Sequence, residues 1–180
     1  LQSPPTLILH SNDDILMTFA DEFDSAYKVI TYGTQNHPDF ELTDISFSPG
    51  KTKGVLKTKT SPTDSQSTTI PIELAIPGEY NLLNATAALC ATTIAGVSLE
   101  NGAKYLQEFR STKRRAEFIG EKNGVRYYDD YAHHPSELSA VIQAFQNWYP
   151  NQRVLFAFQP HTYSRTKQLF AEFVQSLSLA

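Results

Sequence analysis

The chain has 180 residues, 41% hydrophobic and 19% charged, a composition that excludes disordered and collagen-like chains and needs no disulfide or metal to hold a core. A formal charge of −4 argues against a general nucleic-acid binder, and a single cysteine, Cys90, excludes an internal disulfide and a four-cysteine metal framework. No apolar run approaches the roughly 20 residues that span a bilayer, and the first residues lack the charged-then-apolar layout of a signal peptide. The expectation is a soluble cytoplasmic chain, with no nucleic-acid partner and no membrane insertion.

In chain order, the apolar run Leu7-Ile8-Leu9 leads into Ser11-Asn12-Asp13-Asp14, small polar and acidic residues suited to a helix N-terminus. Ile15, Leu16, Phe19, Ala20 and Phe23 then keep helical spacing. Tyr27–Tyr32 reads as a strand closed by Gly33. Asp44–Phe47, Gly54–Lys57 and the alternating Ile70, Ile72, Leu74 and Ile76 read as further strands, and the Ser/Thr/Pro-rich stretch Thr60–Thr69 as a mobile hairpin loop. After Pro77-Gly78 a slim, alanine-rich helix is expected from about Asn81 to Ile94, capped by Gly96, and a second over Leu99–Phe109. The short polar stretch Arg110–Lys113 reads as an interdomain connector.

The remainder reads β-β-α-β-α. Ala116–Gly120 and Val125–Asp129 flank the turn Lys122-Asn123-Gly124, and Asn-Gly is a strong hairpin signal. A helix with Ser136 as N-cap runs to Trp148. The continuous apolar run Val154–Phe158 is expected as a strand buried on both faces, and a last helix over Arg165–Leu177. Alternating strands and helices imply an α/β fold with a parallel sheet, whose ligands sit in the loops after the strands.

Charge and chemistry gather in this second part. Residues 1–110 carry 7 basic and 13 acidic side chains, residues 111–180 carry 8 and 6, and Lys113, Arg114, Arg115, Arg165 and Lys167 cluster in two short segments. Such arginine-rich clusters in an acidic chain point to a local anion site. The loop Asp129–Pro135 follows one expected strand and Gln159–Thr166 the other. Together they supply two carboxylates, three imidazoles, two phenols and a guanidinium, a density that packing does not call for. A zinc site from His133, His134, Asp129 and Asp130 is disfavoured, because adjacent histidines rarely share one metal. Gly50-Lys51-Thr52 is no P-loop: the glycine required five residues earlier is Ile45.

The segments Gly78–Ala85, Lys113–Glu117, Asp129–Pro135 and Phe158–Thr166 occur in an order and spacing that resemble the Mur ligases, with His10–Asp14 also fitting. The resemblance covers essentially the whole chain and is nearest to the branch that joins L-alanine to UDP-N-acetylmuramate. It implies the remainder of a P-loop-type central domain over residues 1–111, then a truncated doubly wound, Rossmann-like C-terminal domain over residues 112–180. It also implies an ATP-dependent amide-forming ligase of peptidoglycan synthesis, with Mg²⁺ bound mainly outside this chain. Carried over residue by residue, Asn81 and Asn84 resemble the adenine contacts, Arg115 the arginine that reaches the nucleotide phosphates, and Asp130 the acid on the ribose. Tyr131, His133, His134, His161, Tyr163 and Arg165 resemble the amino-acid-binding wall, with His133 and Arg165 the catalytic candidates. Arg165 is also the residue whose fork suits an alanine carboxylate on chemical grounds. The chain departs from the family pattern at Tyr80, Ala116 and Thr162. Alternatives are the sister ligase that attaches a recycled murein tripeptide to the same sugar nucleotide, and a non-catalytic nucleotide or amino-acid binding module.

Overall fold

A computed structural model describes residues 5–23, 27–59 and 67–180. Most of the expected loop Thr60–Thr69 lies outside the described residues. The chain divides into two units, the first comprising Leu1–Ser46, Lys53–Leu74 and Asn81–Glu108, the second Phe47–Thr52, Ala75–Tyr80 and Phe109–Ala180.

The first unit is built around β1 (Thr6–His10), α1 (Asp14–Phe23), β2 (Lys28–Gly33), β3 (Phe40–Ser48), β4 (Lys51–Lys59) and β5 (Ser67–Leu74), followed by α2 (Glu79–Ile94) and α3 (Leu99–Leu106). The sheet runs in the order β1-β2-β3-β4-β5, with β1 parallel to β2 and β2 parallel to β3. Helix α1 starts where the polar tetrad predicts, because the Asp13 carboxylate accepts from the amides of Ile15 (2.9 Å) and Leu16 (3.1 Å). Leu42, Leu56, Ile72 and Leu74 from the sheet and Leu82 and Leu89 from α2 are at most 2% exposed. Each such side chain contributes about 1.5–3 kcal/mol relative to an exposed one. Gly96, at φ 89°, ends α2 in a left-handed turn that lets the Val97 amide reach the Thr92 carbonyl at 2.9 Å.

The second unit holds β6 (Glu117–Lys122), β7 (Val125–Asp129), α4 (Pro135–Trp148), α5 (Tyr163–Gln168) and α6 (Phe170–Leu177). Strands β6 and β7 form an antiparallel pair joined through Asn123 and Gly124, both at positive φ (54° and 78°), the turn the Asn-Gly pair predicts. The core is the inner face of α4: Val141, Phe145 and Trp148, joined by Tyr149 and Ala116, with Phe47, Tyr128, Val154 and Phe156 packed against them. The buried Trp148 indole donates to Thr52 Oγ1 at 2.8 Å, and the Thr52 hydroxyl donates to the Ile76 carbonyl at 2.8 Å. Gly50 and Lys51 sit at the β3–β4 turn, so Gly50-Lys51-Thr52 opens a strand, as its rejection as a P-loop requires.

The mixed α/β class holds, and three local expectations change. Val154–Phe158 is not a paired strand among the described residues. Only one face of it is covered: Val154 and Phe156 reach the core while Leu155 is 75% exposed. A continuous apolar run does not tell one-sided from two-sided burial. The last helix breaks at Leu169 (φ −108°, ψ 28°) into α5 and α6, and α6 is held by Ser176 Oγ on the Pro135 carbonyl and Phe173 stacked on Phe158. Finally, α4 begins at Pro135 with His134 as N-cap, in place of the expected Ser136 further along the chain.

Candidate functional site

The site residues of the second unit are held by a lacing of two loops. The strap 114–116 carries positive φ at Arg114 (58°) and Ala116 (47°), backbone that L-residues adopt only when neighbours enforce it. Here the enforcement is visible. Asp130 accepts from the Ala116 amide on Oδ2 and from the Ala132 amide on Oδ1, both at 2.7 Å, and the Tyr131 amide donates to the Arg114 carbonyl at 2.8 Å. The Arg114 amide in turn donates to Glu117 at 2.8 Å. Asp130 is thus oriented by its own backbone partners, and each oxygen keeps a further lone pair. That arrangement leaves the carboxylate able to accept from a further donor.

Next to Asp130 the aromatic groups gather. The Arg114 guanidinium lies 4.6 Å from the Tyr131 ring centre and its Nε 3.5 Å from Asp129. The Tyr131 ring meets His133 at 4.8 Å, and His133 meets His161 at 6.4 Å, both edge-on. These distances bring together three of the expected wall residues from two separate loops. His133 Nδ1 lies 2.8 Å from the Tyr131 carbonyl and 3.6 Å from Glu137 Oε2.

Glu137, in the first turn of α4, went unrecognised at the sequence level. Its Oε2 accepts from the amides of His133 (2.9 Å) and His134 (3.2 Å). Burial works to raise its pKa, but those two amides and the charges of His133 and Arg115 outweigh burial and hold the carboxyl below the usual glutamate value. The signal was present as Pro135 at the first helical position with Glu137 two residues on, the pattern of a capping box.

Other expected residues are placed differently. His134 is spent on capping: its Nδ1 faces the Ser136 amide at 3.4 Å and the Ser136 hydroxyl at 2.8 Å. Tyr163 is 98% exposed. Arg165 is half-buried on α5, and its Nη1 is buried without a hydrogen-bond partner among the described residues. In the first unit, Asn81 and Asn84 lie three apart on the opening turns of α2, half-buried and exposed respectively, and so share a side of the helix. No group of three or more metal-ligating side chains occurs among the described residues, and no helix among them is long and apolar enough to cross a membrane.

Comparison with known proteins bears on both units. The Mur ligase middle domain model matches residues 1–92, and the model for the Mur ligase, glutamate ligase domain, matches residues 114–180. The UDP-N-acetylmuramate–L-alanine ligase of Bdellovibrio bacteriovorus is 50% identical over 101 residues, covering 56% of this chain and 22% of the relative. The enzyme of the same name from Caldanaerobacter subterraneus subsp. tengcongensis is 37% identical over 163 residues, covering 84% of this chain and 32% of the relative. The chain therefore spans a third or less of these relatives. The crystal structure of UDP-N-acetylmuramate-alanine ligase MurC from Thermotoga maritima superposes with a TM-score of 0.75 at 23% identity, over 96% of this chain and 35% of that one, a likeness of fold. With both units matched and the first model alone reaching across half of the residues, the chain belongs to the Mur ligase family.

Proposed function

We propose that this chain is part of an ATP-dependent ligase that joins L-alanine to UDP-N-acetylmuramate in peptidoglycan precursor synthesis, with its domains divided at residues 1–111 and 112–180 and its place of work the cytoplasm. The observation that carries the reading is Arg165, whose buried guanidinium nitrogen has no partner among the described residues, on a segment that also presents His161. An amino-acid carboxylate supplies the missing acceptor, and Arg presents two parallel donors to it.

ATP supplies the phosphoryl group that activates the sugar-linked carboxylate as an acyl phosphate. The residues of this chain do the rest of the work assigned to them. Arg165 orients the incoming amino acid by its carboxylate. His133 takes the proton its ammonium must lose. Tyr131, His161, His134 and Tyr163 line that side, His134 through its hold on α4. Asp130 holds the ribose, Arg115 meets the phosphates, and Asn81 and Asn84 read the adenine. No step is assigned to Mg²⁺, since no described residues here gather to hold it.

Two measurements test the reading. This chain alone, given ATP, UDP-N-acetylmuramate and L-alanine, releases no ADP, because it contains no segment with the phosphate-cradling glycine pattern; L-alanine-dependent release from it overturns that. In a longer ligase carrying this segment, Arg165→Ala raises the L-alanine KM roughly 30-fold or more, as expected for losing a buried charged contact. An unchanged KM removes Arg165 from the site, and faster turnover with a murein tripeptide than with L-alanine moves the substrate to the sister reaction.

A further inference from the structure

We propose that Glu137 is a positioning residue which, with the Tyr131 carbonyl, locks the His133 imidazole as its Nδ1–H tautomer and leaves Nε2 as the proton acceptor for the amine substrate. The chemical use of this arrangement rests on the ligase reading; its geometry does not.

A neutral imidazole carries one N–H and one lone pair, and the partners of one nitrogen decide which it is. Around His133 Nδ1 stand the Tyr131 carbonyl oxygen at 2.8 Å and the Glu137 Oε2 at 3.6 Å. Both groups only accept, so Nδ1 carries the proton. Nε2 makes no hydrogen bond among the described residues and holds the lone pair. The neighbouring His134 differs: its Nδ1 meets the Ser136 amide at 3.4 Å, which only donates, and the Ser136 hydroxyl at 2.8 Å, which can donate too, so Nδ1 accepts there and the tautomer is the opposite one.

Glu137 makes this arrangement rather than merely benefiting from it. Its one carboxylate oxygen holds the amides of both His133 and His134, fixing the backbone from which the His133 ring projects. The Tyr131 ring at 4.8 Å then limits the ring's rotation. The other charged and titratable groups near it are Asp130 and His134 on its own loop, Arg114 and Arg115 on the strap before β6, and His161 before α5. In the step itself, an N–H bond of the substrate ammonium breaks and its electron pair stays on nitrogen as the nucleophile. The proton goes to Nε2, giving an imidazolium whose Nδ1–H faces the Glu137 carboxylate.

Long-range ¹H–¹⁵N correlation spectra of the labelled chain test this. The expected result is His133 with a protonated Nδ1 and a bare Nε2, and His134 the reverse. Glu137→Ala removes the His133 signature, shifting it toward the Nε2–H form, whereas Glu137→Gln, which still accepts from the backbone amides, restores it. Glu137→Asp serves where the alanine variant frays α4: it keeps an acid in the first turn but withdraws the oxygen from both amides, and the signature is again lost. A wild-type His133 in the Nε2–H form, or an unchanged signature in the alanine or aspartate variant with α4 intact, overturns the proposal. In a longer ligase the same alanine substitution lowers kcat roughly 10- to 100-fold at saturating L-alanine with little change in KM, the scale of a misplaced catalytic group. If the wild-type ligase turns over L-alanine and kcat survives the substitution, this inference fails alone. If the wild-type ligase ignores L-alanine while the tautomer is as stated, only the ligase reading fails.

Discussion

The two units solve the problem of packing in different ways. In the first, the sheet and α2 share the burden: Leu42, Leu56, Ile72, Leu74, Leu82 and Leu89 are all at most 2% exposed and come from four different elements. In the second, the buried side chains Leu138, Ile142 and Trp148 come from α4 alone, joined at that depth by Thr52 and Pro77. Around that one helix the chain leaves Leu155, Phe118, Ile119 and Phe170 more than half exposed and lines its loops with charged and aromatic groups. A unit that hangs its core on a single helix has loops free to carry chemistry, and the same residues that start the helix, His134 and Glu137, also shape the site.

That contrast is broken or upheld most sharply by apolar truncation. Leu138→Ala is expected to destabilise the second unit by about 2–5 kcal/mol, since the side chain is fully buried and leaves a cavity. Leu155→Ala, 75% exposed, is expected to stay within about 0.5 kcal/mol. Trp148 is the only tryptophan, so urea unfolding followed by its fluorescence reports on this unit. Equal losses for the two substitutions would mean that Val154–Phe158 is as deeply buried as its apolar run implies.

A smaller effect tests the polar anchor of α4. Trp148→Phe removes the indole donor from the buried Thr52 hydroxyl and is expected to cost about 1–3 kcal/mol by circular dichroism-monitored unfolding. Thr52→Val added to it removes the orphaned hydroxyl but also the donor to the Ile76 carbonyl, so the double variant is expected to lose less than the sum of the two single losses rather than to regain stability. Strictly additive losses would show that the bond contributes nothing of its own.

Where sequence and structure agree, the reason is local chemistry. Asp13 caps α1, Asn123-Gly124 turns β6 into β7, and Gly96 ends α2, each through a backbone requirement that a few neighbouring residues satisfy alone. The site was legible as a concentration of residue types in two loops, and the structure brings Tyr131, His133 and His161 into contact. What was not legible depends on partners distant in sequence. Whether Val154–Phe158 is covered on one face or two depends on what lies beside it. The orientation of Asp130 needs the Ala116 amide, fourteen residues earlier. The capping role of His134 displaced Ser136 because Pro135 already occupies the first helical position, and a histidine in that role is not what small-polar capping preferences favour.

The smallest predicted effect concerns the link between the helix start and the site. The folded protein holds the Glu137 carboxyl below the usual glutamate value, which is about 4.5, through the two backbone amides and the His133 and Arg115 charges acting against burial. The sign follows directly. A carboxyl whose folded value is depressed contributes stability above its unfolded value, and that contribution disappears as the pH falls through the folded value. With Glu137 about a third exposed, solvent screening keeps the contribution below about 1 kcal/mol. Glu137→Gln keeps the acceptor for the amides but cannot titrate. The stability gap between wild type and this variant should therefore be constant above about pH 4.5 and close progressively below it. Other carboxylates titrate in both proteins alike and cancel in the difference. A gap that stays constant into strong acid would mean that the amides, not the charge, are all that Glu137 contributes, and the helix start would then be electrostatically independent of the site beside it.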